Sequence, residues 1–225
     1  MQEMKRKQWN QVKARAEAGD SEAQWEVGSW FEDGLADPNG LVIAHPDARA
    51  AARWFRRSAI GGNPSGQNHL GVCLCAGRGV RRDDAEALRW FKRALRQSYL
   101  VAPNNIASVY SDRGNHRRAM FWYHRAAACG DGDALVEVGR RYYAGVGVKR
   151  DPERGVRCFR KAIASKNITP AGREEAMFHL GAAFHEGRGV KQSNVRAIKW
   201  LSQANQDDDH AEARNLIERI MGRVT

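Results

Sequence analysis

The amino-acid sequence predicts an all-α solenoid of about five helix pairs. Three stretches, which begin at Gly66, Ala134 and Ala176, repeat one pattern: an apolar residue and a glycine, a large residue three positions later, a Gly-x-Gly-Val turn and a second apolar stripe. Two partial copies complete the series, and the units recur about every 32 to 43 residues. Two short amphipathic helices cannot bury their own apolar faces, so neighbouring units must stack into one core.

The chain begins with a predicted capping helix. Within residues 1–20, a helix over 7–18 places Trp9, Val12 and Ala16 on one face. This spacing follows the period of an α-helix, so the face is expected to cover the first full repeat. A second cap is predicted over residues 206–225, with an apolar face formed by Leu216, Ile217 and Ile220.

Residues that favour helix N-termini mark the starts of the repeats. Asp20 precedes the first repeat, Asn63 opens the second ahead of Pro64, and Asp151 with Pro152 repeats this arrangement at the second helix of the fourth repeat. Such side chains accept hydrogen bonds from unpaired backbone N–H groups in the first helical turn. The predicted repeats span residues 21–62, 63–98, 99–130, 131–168 and 169–205.

The second helix of every repeat carries one stripe of small and large residues. Small residues flank a large one at positions i, i+4 and i+7, which share one helix face, so this stripe is predicted to be core. The large residues are Phe55, Phe91, Tyr123, Phe159 and Leu201. Tryptophan precedes the large residue in four repeats, at Trp54, Trp90, Trp122 and Trp200.

The repeated pattern, AxxxLGxxYxxGxGVxxDxxxAxxWFxxA, resembles the Sel1-like (Sel-one-like) repeat of the tetratricopeptide superfamily. The resemblance covers about residues 21 to 205. The first repeat departs from it by a long turn at 35–46, the third by a short turn at Gly114, and the fourth by Cys158 in place of Trp or Tyr. The resemblance implies a right-handed superhelix that holds partner proteins together, with the first helices lining its concave side.

Searches for catalytic, phosphate and metal motifs give no match. The Gly-x-Gly turns do not extend to GxGxxG, and no GKS or GKT occurs, so the glycines are assigned to helix ends. Cys73 and Cys75 point apart on a helix, and His179 and His185 lack the four-residue spacing of a zinc helix. We therefore predict no enzyme activity, no metal and no cofactor; a lone cysteine acting with a distant histidine is the remaining catalytic alternative.

Composition and the N-terminal sequence predict a cytoplasmic protein. Apolar residues make up 42% of the 225 residues and charged residues 28%, as in ordinary soluble chains. No apolar run approaches the roughly 18 residues of a membrane span, and the first twenty residues lack the apolar stretch of a secretion signal. The four cysteines show no paired spacing, which favours free thiols in a reducing compartment.

Charge is divided between the two helices of each repeat. The five second helices together carry a formal charge of +11, and the five first helices carry −7. If the first helices line a groove, as the resemblance implies, that groove is acidic to neutral and the outer surface is basic. Two interpretations stay open: either the basic residues only solvate outward faces, or the groove receives a basic or polar segment of another protein.

The predicted groove residues lie on the inward side of the first helices. Trp25, Tyr143 and Phe178 are candidate anchors, because aromatic side chains concentrate binding energy. Asn68 and Asn104 are candidates for holding a peptide backbone through their amide groups. The full predicted set is Glu22, Trp25, Ser29, Glu32, Asp33, Asn68, Asn104, Ser108, Asp112, Arg140, Tyr143, Phe178 and His185.

The long turn of the first repeat is a further candidate contact. Leu41, Val42 and Ile43 form an apolar run within the otherwise polar segment 35–46. An exposed apolar loop on a scaffold often marks a binding site. The same run is equally compatible with packing back over the first repeat.

Two function classes follow from these observations. The leading hypothesis is a non-catalytic scaffold or adaptor whose groove binds a partner protein, including a bacterial regulatory or toxin-neutralising (immunity) role. The alternative is nucleic-acid binding through the basic outer helices. That alternative is weakened because the aromatic residues beside the arginines fall on the core stripe, which leaves charge without stacking groups. Neither hypothesis includes a membrane or a small-molecule cofactor.

Overall fold

The structure is a computed structural model that describes residues 2–36, 42–206 and 210–222, with side chains from Lys7 onward. It divides into two compact units at Val109 and Tyr110, and each is described by itself. No helix in the described ranges is both long and apolar enough to cross a membrane.

Unit 1 holds the N-terminal cap and the first two helix pairs. Its helices are α1 (Gln2–Glu17), α2 (Ser21–Asp33), α3 (Ala48–Ile60), α4 (Pro64–Ala76) and α5 (Asp84–Arg96). The helix α6 (Ala102–Asp112) begins in this unit and ends in the next. In each pair the first helix packs against the second, and α3 packs against α4 of the next repeat.

Unit 2 continues with the same alternation of first and second helices. Its helices are α7 (His116–Ala128), α8 (Gly132–Ala144), α9 (Pro152–Ala164), α10 (Pro170–Glu186), α11 (Asn194–Ala204) and α12 (Ala211–Ile220). The predicted helix order, including a cap at each end of the repeats, is confirmed over the described residues.

Side chains of N-cap residues hold the helix starts, as predicted for Asp20 and Asn63. The side chains of Asp20, Asn63, Asp131 and Thr169 each accept a hydrogen bond from a backbone N–H in the first turn, at 2.8 to 3.0 Å. Each bond satisfies a donor that has no partner within the helix. These local interactions fix where the first helices of four repeats begin.

In every repeat except the third, whose first helix has no glycine, the large residue on the second helix packs directly on the repeated glycine of its own first helix. A Cβ atom placed on Gly28 would lie 2.6 Å from the ring of Phe55, and one placed on Gly71 would lie 2.5 Å from the ring of Phe91. Both rings are buried, at 0% and 1% exposure. The glycine recurs because the two helices cross too closely there for any side chain. The same contact occurs between Gly139 and Phe159.

The Gly-x-Gly turns of the second, fourth and fifth repeats each join the two helices of the repeat and dock on the repeat before it. The first glycine adopts the left-handed conformation that ends the helix, with φ of 67° at Gly77 and 69° at Gly187, as predicted. The second glycine lies against the backbone at the start of the second helix of the preceding repeat. A side chain at this position would collide with that backbone, so glycine is required here as well. These contacts join Gly79 to Ala48, Gly147 to His116, and Gly189 to Pro152.

The segment 35–46 departs from a purely helical structure. Two short antiparallel strands, β1 (Leu35–Ala36) and β2 (Val42–Ala44), pair at its base. Ala44 is 6% exposed and Val42 is 46% exposed, so on β2 the side chain of Ala44 is buried and that of Val42 is exposed to solvent. Leu41 lies outside the described residues.

The predicted faces of both caps are confirmed. On α1, Val12 and Ala16 are buried, and the Trp9 ring lies 5.2 Å from that of Trp30. On α12, the apolar residues that pack against the last repeat are partly buried: Leu216, Ile217 and Ile220.

Candidate functional site

The first helices contact one another within each unit. In unit 1 α2 contacts α4, and in unit 2 α8 contacts α10, which in turn contacts α12. We call the sides of α2 and α4, and of α8 and α10, that carry the predicted groove residues the first-helix face of each unit. The predicted residues can therefore be placed by what they contact on this face.

In unit 1, two predicted acidic residues are paired with the next repeat. The Glu22 carboxylate accepts a hydrogen bond from the Asn63 amide, and Glu32 forms a 3.1 Å ion pair with Arg78. Asp33 is exposed at the end of α2. These pairs hold neighbouring repeats together and neutralise part of the negative charge expected on this face.

Trp25 is half-buried and also reaches the second repeat. Its indole N–H donates to Nδ1 of His69 at 3.2 Å, and the His69 ring lies 4.9 Å from the buried ring of Phe55. Ser29 donates its hydroxyl to the Trp25 backbone carbonyl. Trp25 is thus part of a contact between the first two repeats as well as a partly accessible aromatic surface.

The role predicted for Asn68 is wrong. Asn68 is 5% exposed, and its carbonyl oxygen accepts a 2.8 Å hydrogen bond from the side-chain amide of Asn105, so it is not available to a peptide. Asn104 is half-buried, whereas Ser108 and Asp112 are exposed on α6. The residue that joins the two helices is one position away from the predicted Asn104, a rotation of about 100° on an α-helix.

In unit 2, Arg140 and Tyr143 link α8 to α10. Nη1 of Arg140 donates to Glu137 at 3.0 Å and to Glu175 at 2.9 Å. The hydroxyl of Tyr143 donates to Glu186 at 2.9 Å. Burial of Tyr143, followed by this bond to a carboxylate, raises the pKa of its hydroxyl, so the group stays protonated.

His185 lies further along α10, and its Nδ1 is 3.1 Å from the side-chain oxygen of Asn194 on α11. It is therefore held between the two helices of its own repeat. Phe178, on the same helix, lies at an open cavity instead.

This cavity, which we call the α10 recess, has a volume of about 880 Å³ and lies among α8, α10 and the start of α12. It brings together Arg140 and Phe178, two of the predicted groove residues. The residues that line it are Arg140, Ala171, Glu174, Glu175, Phe178, His179, His210, Ala211 and Glu212.

Aromatic rings form one wall of the α10 recess. The His179 ring stacks on the buried Phe159 ring at 5.2 Å, and Phe178 lies 5.4 Å from His179. On its other side Phe178 stacks on His210 at 5.0 Å. His210 is itself fixed, because its Nδ1 accepts a 3.3 Å hydrogen bond from the backbone of Ala213 at the start of α12. Phe178 is therefore held between two rings.

Carboxylates dominate the charge of the α10 recess. A hydrogen bond with His179, and then the charge of Arg140, lower the pKa of Glu175, so this carboxylate stays ionised at neutral pH. Within the described part of the chain, Glu174 and Glu212 have neither a hydrogen bond nor an ion pair from their side chains. Among the described residues, the carboxylates of Glu174, Glu175 and Glu212 therefore line the recess with one guanidinium, that of Arg140, which already donates to Glu137 and Glu175.

Sequence reasoning missed most of this recess. Glu174 lies near an N-terminal extension of α10, which has 17 residues where α2, α4 and α8 have 13. His210 and Glu212 belong to the cap, which lies outside the repeats. One signal was present: His179 occupies the same repeat position as His69, two residues before the glycine, and both rings lie on a buried phenylalanine.

The basic second helices present tryptophans that are covered by arginines. The guanidinium of Arg57 lies 4.6 Å from the Trp54 ring centre, and that of Arg93 lies 4.5 Å from Trp90. Each pair uses one ring face for a cation–π contact within its own helix. Base stacking on these faces would require displacement of the arginine, so the pairs give no support to nucleic-acid binding.

The thiols have little nucleophilic character where they are buried. Burial raises the pKa of Cys73 to about 11, and burial also raises the pKa of Cys158. A protonated thiol is a poor nucleophile. Among the described residues, no group of three or more His, Cys, Asp and Glu side chains is arranged to hold a metal ion.

Comparison with known families identifies the repeats. The family model described as the Sel1 repeat matches residues 21–63, 64–99, 110–131, 132–167 and 174–209, which together make up most of the chain. The chain belongs to the Sel1 repeat family. Sel1 repeat proteins mediate protein–protein interactions and are generally non-catalytic.

Solved structures of other Sel1 repeat proteins confirm the all-α solenoid class. The protective antigen c5321 of uropathogenic Escherichia coli has a TM-score of 0.79 and 28% identity, over 95% of this chain and 44% of that one. A Sel1 repeat protein from Oxalobacter formigenes has a TM-score of 0.71 and 24% identity, over 89% of this chain and 76% of that one.

A curated relative extends the family to a eukaryotic complex. The ERAD-associated E3 ubiquitin-protein ligase component HRD3A of Arabidopsis thaliana is 28% identical over 145 residues, which cover 57% of this chain and 20% of that protein. This Sel1 repeat chain thus spans about a fifth of the length of HRD3A.

Proposed function

We propose that this Sel1 repeat chain is a non-catalytic adaptor that holds a segment of a partner protein in the α10 recess. The observation that carries the proposal is the recess itself, where residues of α8, α10 and α12 enclose about 880 Å³ on the first-helix face. This volume falls in the range of roughly 300 to 1,000 Å³ that is usual for ligand sites.

The fixed geometry of the recess supports the proposal. Phe178 is held between His179 and His210, so an incoming segment meets an aromatic surface that is already ordered. Pre-ordered side chains lose little conformational entropy on binding. Aromatic anchors near the centre of an interface also supply much of its binding energy.

The charge of the recess favours a basic or polar segment over an acidic one. Among the residues that the structure describes, Glu174, Glu175 and Glu212 line it, and Arg140 is the one arginine or lysine beside them. A basic toxin or a regulatory protein with a basic segment is a partner of the proposed kind, so a toxin-neutralising role falls within the proposal.

Site-specific photocrosslinking tests the proposal. A photoreactive phenylalanine analogue at Phe178 is expected to crosslink a protein in the native host, and the purified partner is expected to bind the chain with its affinity reduced by Phe178→Ala. The matched control places the same analogue at Val195, which is 82% exposed on α11. The proposal is wrong if Phe178 and Val195 give the same crosslinks, or if Phe178→Ala leaves the partner's affinity unchanged.

A further inference from the structure

We infer that the α10 recess recognises an arginine or lysine side chain of its partner, an inference that rests on the proposed function. The recess supplies two elements that such a side chain requires: carboxylates with no partner among the described residues, and an ordered aromatic wall. The two elements are independent, since one comes from charge and the other from ring packing.

Among the described residues, several acidic groups on the first-helix face are paired within the chain, whereas two carboxylates that line the α10 recess are not. Glu22, Glu32 and Glu137 all have hydrogen-bonding or charged partners within the chain. Glu174 and Glu212, which line the same cavity, have none among the described residues. A cation in the recess would therefore complete charge pairing that the chain itself leaves incomplete.

The aromatic wall suits the apolar part of a basic side chain. Phe178 and His179 lie beside these carboxylates in the lining of the recess. Arginine and lysine bury their methylene stems on apolar surfaces while their charged ends remain solvated or paired. A guanidinium also stacks on aromatic rings, which favours arginine over lysine.

An acidic side chain fits the recess poorly. Arg140, the one arginine or lysine that lines the recess in the described ranges, already donates to Glu137 and Glu175. An incoming carboxylate would have to displace one of them, and it would then face Glu174 and Glu212. Like charges in such proximity repel, so the recess selects against acidic segments.

Peptide selection on the full chain tests the inference. A phage-displayed library of random peptides, roughly twelve residues long so that one peptide exceeds the recess, is selected on the wild-type chain. Clones that lose binding on Phe178→Ala are retained as recess binders. Synthetic copies of these peptides are then measured by isothermal calorimetry, with each arginine replaced in turn by citrulline, which keeps the shape and removes the charge.

The expected result is enrichment of arginine or lysine among the recess binders and a loss of about tenfold or more in affinity with citrulline at one position. The double variant Glu174→Gln/Glu212→Gln is expected to cause a similar loss. The control Glu153→Gln changes an exposed glutamate on α9 and is expected to leave the affinity unchanged. Circular dichroism verifies that the variants are folded.

The outcomes separate this inference from the proposed function. Recess binders without basic residues, or binders that tolerate both citrulline and the double variant, would overturn the inference while the proposed function stands. If no selected peptide depends on Phe178, both the inference and the proposed function are wrong. The citrulline arm changes only the peptide, so it remains decisive even if the double variant is unstable.

Discussion

The contact between Gly71 and Phe91 gives a quantitative test of how the repeats pack. Gly71→Ala places a Cβ 2.5, 2.8 and 2.9 Å from three ring atoms of Phe91, whose ring is 1% exposed. Alanine favours the helix over glycine by about 1 kcal/mol. Overpacking a buried contact costs about 1 to 3 kcal/mol, so after the gain in helix propensity we expect a net destabilisation of about 0 to 2 kcal/mol.

Urea unfolding, followed by circular dichroism, measures this change. The double variant Gly71→Ala/Phe91→Leu supplies the control, because leucine vacates the space that the new methyl group needs. If the clash is the cause, the two substitutions couple favourably by about 1 kcal/mol in a double-mutant cycle. A Gly71→Ala chain that is more stable than the wild type would refute the close-crossing explanation.

Four further predictions concern buried charge, pH, thiols and nucleic acid. Arg141 is buried, its Nη2 donates to Ser111 at 2.7 Å, and its Nε lies 3.6 Å from the Glu137 carboxylate, so Arg141→Met, which removes both contacts, is expected to lower the free energy of unfolding by about 1 to 3 kcal/mol; unchanged or greater stability in urea melts contradicts this. Folding lowers the pKa of Glu175 below its unfolded value of 4.5. The ionised carboxylate therefore stabilises the fold above about that pH, and this contribution is lost as the pH falls. In parallel melts at neutral and acid pH, Glu175→Gln should lose less stability on acidification than the wild type. With a thiol-specific chromogenic reagent, the exposed Cys129 should react more than about tenfold faster than Cys73, as shown by mass spectrometry of the labelled sites. The chain should not retard RNA or DNA in gels at about 150 mM salt; retardation there would favour the basic second helices as the binding surface.

The helices and their limits could be predicted because their signals are local. Asn63 and Thr169 cap the helices that follow them, and the glycine pairs end helices through their own backbone conformation. Such signals need no knowledge of the neighbouring repeat. Gly71 belongs to the repeated sequence pattern, but the sequence does not explain why a glycine is needed there. The structure does, because the Phe91 ring packs against this position.

The details of the first-helix face could not be predicted because they depend on the rotation of one helix against the next. Asn68 was expected at the surface, yet it meets Asn105 and is buried. Adjacent residues on an α-helix point about 100° apart. A prediction that is wrong by one residue can therefore assign to the surface a side chain that lies in the contact between two helices. The recess was missed for a related reason: half of its lining comes from Glu174, His210 and other residues outside the repeated pattern.

The pairing on the first-helix face changes where function should be sought. Summed charge alone suggests an acidic groove along all the first helices, but Glu22 and Glu32 of unit 1 are already engaged by Asn63 and Arg78. A carboxylate paired with an arginine, as Glu32 is, attracts a charged ligand less strongly, since the adjacent opposite charge offsets its field. The uncompensated carboxylates that share a cavity lie instead in unit 2, at the α10 recess. Recognition by this chain should therefore depend on a few side chains in one recess more than on the net charge of its repeats.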